Sequence, residues 1–487
     1  MEETFTSMVS SLLWLLATVA MTVTTAAVLA AVTYLSYLWA LHNGLVSLNE
    51  NGKLTLKSKD VPPGSMGLPL IGQTLAWKKN PDEFYDSHWK SHGEIYKTHL
   101  FGFPTVVVTT QEASKKLLIS NGDSLKAHSP GQIVTLLGPH FLAFQEGDRH
   151  STLRKRLMKH LLPESIKSLI PAIEELAIKH VSSWSNGDTI KFVDEIERYT
   201  LGVGMLAFLG PLPPVSADKL NQEFNEIEKG FQSQLPINKP GYQYFESMQA
   251  RKRFVKEIHD IVNKRQTDQN TERPTDILDS LIDQEDPLPE DVIYDNVVGF
   301  LFASDRTTAA LIAFTLKYLH DHPDVLEEVK NEQEKIRTRK ASGDPLSWED
   351  LKDMPFTYQV MQESSRLSNV VGLQYRVVKK ELEYGGYVIP KNWRLITVQR
   401  QWHLDPKVFP DPHKFDPSRF ETPKPSLTPF GMGAHFCPGY ELARVELLIF
   451  LHHFTTKFRW EIMADGPTEF TLFPNPYARL PLKLTQL

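Results

Sequence analysis

The chain carries one cysteine, Cys437, in 487 residues. A single thiol excludes an internal disulfide and any cluster of several thiolates around a metal. Its surroundings, residues 429–439 (PFGMGAHFCPG), hold glycines at 431, 433 and 439 and prolines at 429 and 438. That composition describes a tight turn in which backbone comes close to another group. Residues 440–453 follow as a predicted helix, with Ala443, Leu447, Phe450 and Phe454 on one face. Cys437 thus precedes a helix N-terminus, where the dipole favours thiolate over thiol. A buried structural cysteine is the bland reading. A thiolate in a shielded hairpin is also what a haem iron takes as an axial ligand.

Three other sets of residues could do chemistry. Residues 289–323 read as one long helix, and between 297 and 316 its only charges are Asp305 and Arg306. A helix apolar on all sides is buried, so Ser304, Asp305, Arg306, Thr307 and Thr308 at its middle demand a reason. Arg306 either pairs with a carboxylate on a neighbouring helix or greets an acidic substrate. Glu363 and Arg366 form an i,i+3 pair of a kind common on surfaces. His150 and Arg154, within 146–160, lie one turn apart and share a helix face. Arg149, Lys155, Arg156 and Lys159 beside them are either a solvated face or a dock for an acidic partner.

The elements that must position these residues are mainly helical. Between Glu3 and Glu50 no residue is charged, apart from a possible charge on His42. The apolar run 11–41 exceeds the ~20 residues that cross a bilayer, and Lys53, Lys57 and Lys59 behind it place the bulk of the chain on the cytosolic side. The expected organisation is an anchor at 1–50, a linker and proline-rich hinge at 51–72, and one catalytic domain at 73–487. Residues 101–110 and 384–393 read as strand patterns of a small sheet, and 164–285 as amphipathic helices. A net charge of −6 argues against nucleic-acid binding, and the single cysteine suits a reducing compartment. His403, His452 and His453 read as structural rather than metal-binding.

Phe430, Gly433, His435, Cys437 and Gly439 meet the pattern F-x-x-G-x-H-x-C-x-G, which resembles the haem-thiolate loop of the cytochrome P450 family. Glu363 and Arg366, followed by Arg419 in FDPSRF, resemble that family's Glu-x-x-Arg plus Arg triad, and 303–308 (ASDRTT) its oxygen-activation motif. The resemblance implies a mainly α haem-thiolate fold with a minor β region behind an N-terminal transmembrane helix. It implies haem b ligated by Cys437 within a loop framed by Phe430, His435 and Gly439, with His150, Arg154 and Arg376 on the haem propionates. Glu363, Arg366 and Arg419 would lock the haem-side core, and Thr307 with Asp305 or Arg306 would serve oxygen chemistry. The implied activity is a monooxygenase acting on a small apolar substrate, with dioxygen and NADPH electrons from a reductase, at the endoplasmic reticulum membrane. Stretches such as KTHLFGFPTVVV and LKYLHDHP are most similar to the plant branch that oxidises steroids, terpenoids and abscisic acid, with the abscisic acid 8′-hydroxylases nearest.

Two departures stand out. Arg306 occupies the place of the family's acid, and the proline usual after Glu-x-x-Arg is missing from 367–373 (LSNVVGL). Two alternatives follow: a haem-thiolate isomerase or dehydratase that needs no reductase, and a haem- or ligand-binding protein without turnover.

Overall fold

The computed structural model describes residues 14, 18–36, 46–48, 54–56, 61–68, 71–233, 236–267, 276–283, 285–341, 343–421, 425–470 and 473–487. Lys53, Lys57, Lys59 and both ends of the apolar run lie outside the described residues. Helix α1, Thr18–Ser36, has 19 residues, a mean hydropathy of 1.7 and no buried side chains. At ~1.5 Å per residue it measures about 28 Å, close to the ~30 Å of a hydrocarbon core. Its threonines donate back to carbonyls about one turn earlier, as Thr33 Oγ1 does to Leu29 O at 2.8 Å, so these hydroxyls carry no unmet donor into lipid.

The chain divides into two compact units, Met1–Thr109 with Arg376–Thr397, and Thr110–Tyr375 with Val398–Leu487. In the smaller, Ile95–Leu100 and Phe103–Val108 form an antiparallel hairpin, and Arg394–Val398 joins the latter in parallel. Phe101 (φ 54°) and Gly102 (φ 82°) make the turn, the left-handed pair that a two-residue hairpin loop requires. The sequence reading put a single strand over 101–110. The partner strand, IYKTHL, escaped it because Thr98 and His99 are polar yet fully buried. The proline-rich hinge is strapped to this hairpin, with Lys97 N donating to Pro63 O (2.7 Å) and Lys97 Nζ to Pro62 O (2.9 Å).

The larger unit is helical. Its principal helices are α2 Gly147–Leu161, α3 Phe192–Leu209, α4 Pro214–Phe231, α5 Gln243–Thr267, α6 Glu290–Asp321, α7 Pro355–Ser368 and α8 Tyr440–Lys457. Helix α6 runs through the middle and packs on α3, α5, α7 and α8. Most of its residues between Ile293 and Leu319 are buried. Gly299 is required where it is, because the Phe141 ring occupies the space a Cβ would need. Helix α8 closes the core with Phe450 and Phe454 stacked 5.5 Å apart, both against Phe192. Burying each such ring removes on the order of 2–3 kcal/mol of exposure cost. Helix α7 ends on Asn369 in the left-handed conformation (φ 46°, ψ 47°). Asparagine, after glycine, is the residue that caps a helix this way, so 367–373 turns the chain without a proline.

Candidate active site

The Cys437 loop is held by its own backbone. Cys437 N donates to Phe430 O (2.9 Å), Phe436 N to Gly433 O (3.0 Å) and Gly431 N to Thr428 O (3.1 Å). Gly431 (φ 80°) and Gly433 (φ 73°) adopt conformations that side chains resist. A Cβ on Gly433 would also sit 3.1 Å from the Leu118 carbonyl oxygen. Behind the loop, Trp402 Nε1 donates to Thr428 Oγ1 (3.0 Å) and Thr428 N donates to His403 Nε2 (3.3 Å). Burial keeps His403 neutral, with its pKa lowered to about 3. It is a strut, as are His452 on Gln333 and His453 on Glu174, both at 2.9 Å.

The Cys437 sulfur receives the N–H groups of Gly439 and Tyr440 at the start of α8 and the field of Arg154, all favouring thiolate. Burial acts the other way and dominates, so the thiol's pKa lies above its ordinary value. The sequence argument from the helix N-terminus gave the right direction for that one effect but left out the larger one. Iron ligation removes the conflict, because a coordinating thiol is deprotonated outright.

Helix α2 brings His150 and Arg154 to this loop. His150 is buried, with its ring 4.3 Å from that of His435. Arg154 is half-buried, and among the described residues its guanidinium has a charge interaction with Cys437 but no hydrogen-bonding or ion-pairing partner. A desolvated fork of donors without an acceptor, beside a thiol fed by backbone N–H groups, fits a haem whose propionates complete it. Of the neighbouring cations, Arg149, Lys155 and Lys159 are exposed. Arg156 is not part of a free basic face, since it pairs with Asp286 and donates to that residue's carbonyl at 2.6 Å. Arg376 lies on strand Leu373–Val378, in the part belonging to the smaller unit.

The Glu-x-x-Arg pair is fully buried. Arg366 donates from Nε to Glu363 Oε2 (2.7 Å) and from Nη2 to Oε1 (2.8 Å), and its Nη1 reaches the carbonyls of His403 (2.8 Å) and Pro412 (2.7 Å). Arg419 approaches Glu363 from the other side at 3.3 Å and donates to Asp411 O at 2.9 Å. One carboxylate thereby fastens α7 to the winding segment 403–419 that leads to the cysteine loop.

On α6, Thr307 parts company with its neighbours Asp305 and Arg306. Ala303 is exposed and Thr307, one turn on, is half-buried, with its Oγ1 donating to Ala303 O at 2.7 Å. This opening interrupts a helix that is otherwise buried. Asp305 points elsewhere: it is 1% exposed and accepts from Thr200 Oγ1 on α3 at 2.9 Å. Burial and the nearby carboxylates raise its pKa well above the ordinary range. Arg306 pairs with Glu228 on α4 (Nε to Oε1, 2.7 Å) and with Glu197 on α3. Of the residues expected to serve oxygen chemistry, Asp305 and Arg306 remain in contact with each other at 3.6 Å. Both face the carboxylates Glu197 and Glu228, whereas steps of ~100° per residue turn Thr307 to the side of Ala303. With its guanidinium taken by carboxylates, Arg306 does not greet an acidic substrate. Sequence reasoning could not find Glu197 and Glu228, which give no local signal in ordinary amphipathic helices.

Residues 62–484 match the Cytochrome P450 family model. The chain belongs to the cytochrome P450 family. It is 37% identical to abscisic acid 8′-hydroxylase 2 of Arabidopsis thaliana over 437 residues, covering 88% of this P450 and 90% of that protein. It is 38% identical to abscisic acid 8′-hydroxylase 1 of Oryza sativa subsp. japonica over 432 residues, covering 88% and 91%. Among solved structures, the retinoic acid-bound cyanobacterial CYP120A1 superposes with a TM-score of 0.80 at 30% identity, covering 88% of this P450 and all of that chain. The P450 is thus a monooxygenase of haem-thiolate type that uses dioxygen, on the mainly helical fold expected for the family.

Proposed function

We propose that this P450 is a membrane-anchored hydroxylase of a small apolar terpenoid: an apocarotenoid such as abscisic acid, a diterpenoid, a triterpenoid or a sterol. NADPH electrons reach it one at a time from a reductase. Helix α1 is the anchor, single-pass in the endoplasmic reticulum membrane, with the catalytic part facing the cytosol. The observation that carries the reading is the exposed Ala303 with the half-buried hydroxyl of Thr307 one turn on, an opening in a helix that is otherwise buried. The abscisic acid 8′-hydroxylase relatives support the substrate class.

When bound, haem supplies dioxygen activation and transfer of one oxygen atom into a substrate C–H bond, the other oxygen leaving as water. The chain supplies the rest. Cys437 holds the iron, Arg154 and His150 take the propionates, and Glu363 with Arg366 and Arg419 keeps the loop's support rigid. Thr307 Oγ1 holds a proton that it shares with Ala303 O and can redirect into the open space. Arg306 draws the neighbouring carboxylates away from that space, leaving it apolar. The exposed Arg149, Lys155 and Lys159 of α2 are the face offered to an acidic reductase. Microsomes holding the protein and a plant reductase, given NADPH, isotopically labelled dioxygen and a terpenoid panel that includes abscisic acid, test the reading. Label in the product is the expected result. Product formed without label or without NADPH refutes it in favour of rearrangement.

A further inference from the structure

One polar cluster ties together the elements that border the open face of α6. Glu197 on α3 receives two arginines, Arg306 from α6 on one oxygen and Arg479 from the segment before the last strand on the other. Arg306 continues to Glu228 on α4, and Arg479 continues to Asp194 on α3, each at 2.7 Å. Surface cosmetics do not account for the backbone around Arg479. Ala478, Arg479 and Leu480 are consecutive, carry side chains and are all left-handed, with φ of 50°, 61° and 50°. Such a run persists only where its surroundings over-determine it. Here Leu480 is buried, its carbonyl accepts from Phe192 N at 3.0 Å, and Arg479 is spent on the two carboxylates.

The run terminates the finger in which Glu469–Phe470 pairs with Pro474–Asn475. That finger carries Phe473, whose ring lies 5.9 Å from Phe302 of α6; Phe302 in turn lies 4.7 Å from Phe231 at the end of α4. Phe302 directly precedes the exposed Ala303. Glu197 therefore fixes both partners of an aromatic wall: α6 and α4 through Arg306, and the Phe473 finger through Arg479.

We propose that Glu197 is a positioning residue for the substrate pocket, setting through Arg306 and Arg479 the spacing of Phe302 and Phe473 beside the open face of α6. The proposal rests on the reading of that face as the place where substrate meets haem, and it makes Glu197 a determinant of which flat or ring-shaped apolar substrates fit.

Full-length haem-loaded protein in membranes, as wild type, Glu197→Gln and Arg479→Lys, is titrated with imidazole and with 4-phenylimidazole, read by the optical shift of the haem. Imidazole needs only the iron, whereas the phenyl ring must fit between the walls. Glu197→Gln is expected to weaken 4-phenylimidazole by about fivefold or more while imidazole stays within about twofold, and Arg479→Lys to show a smaller effect of the same kind. Equal weakening of both ligands, weakening of neither, or loss of haem content at unchanged affinities overturns the proposal and returns Glu197 to a purely structural role. Absence of any imidazole shift in the wild type overturns the haem-pocket reading itself, and the proposal with it.

Discussion

Glu363 and Glu334 offer a controlled comparison of one local motif in two environments. Each forms an i,i+3 pair with an arginine, with distances of 2.7 and 2.8 Å to Arg366 and of 2.8 and 2.9 Å to Arg337. The first pair is 0% exposed on both sides; the second is 47% and 60% exposed. In Glu363→Gln, the two carboxylate oxygens that serve Arg366, Arg419 and Asp416 N become one oxygen and one N–H donor. Buried donors are then left unmade at roughly 1–3 kcal/mol each, beside a guanidinium whose counter-charge is gone. Removing one partner of a buried pair costs about 3–5 kcal/mol. At a urea dependence of roughly 3 kcal/mol per molar, the midpoint should fall by roughly 1–2 M. Glu334→Gln should move it little, since exposed pairs are worth about 0–1 kcal/mol. Pulse proteolysis of the full chain across a urea series reads both. Equal shifts for the two variants, or a Glu363→Gln shift below roughly 0.5 M at unchanged slope, would refute the argument from burial.

Cys437→Ala should abolish the thiolate-type carbon monoxide spectrum, and an ordinary spectrum would sink the ligand assignment. Arg154→Gln should lower haem retention but barely alter the urea midpoint of the haem-free protein, because among the described residues the guanidinium has no hydrogen-bonding acceptor to lose; a large midpoint shift would contradict that. Arg306→Asp should reduce folded yield rather than raise coupled turnover, because it removes the cation that Glu197, Glu228 and Asp305 share and adds a fourth carboxyl group among them; product yield per NADPH consumed decides between them. Acid should destabilise the fold through His403: between about pH 6.5 and 3 the unfolded chain takes up a proton that the folded chain refuses, so stability falls as pH falls across that window. His403→Gln should flatten that part of the profile by up to about one proton's slope, as read from midpoints measured along a pH series.

Much of the site was legible because its residues are consecutive or one helical turn apart. The Cys437 loop announces itself through glycines and prolines whose conformations are local. The burial of α6 follows from an apolar stretch, charged only at Asp305 and Arg306, that no amphipathic pattern explains. Glu363 and Arg366 could be paired on spacing alone, although spacing cannot tell their burial from the exposure of Glu334 and Arg337. What stayed hidden depends on contacts between distant segments. Glu197, Glu228 and Arg479 sit in unremarkable polar positions, and only the packing of α3, α4 and α6 gathers them around Arg306. The thiol of Cys437 was read from its helix dipole without the opposing cost of burial, which no local pattern reveals. The turn at Asn369 was hidden because the proline usual there is absent and a left-handed asparagine does the same work.

Arg366 also ties the cysteine loop to the helical core. A guanidinium cannot give up its water until acceptors surround it, and its acceptors come from Glu363 on its own helix and from carbonyls of His403, Pro412 and Lys414 far down the chain. Helix α7 is sealed at this point by the winding segment 403–419, which lies over the arginine. The cysteine loop hangs from that segment through His403 and Thr428. The loop's shape therefore depends on the same segment that covers the arginine, so a change that uncovers Arg366 reaches the haem site without touching it.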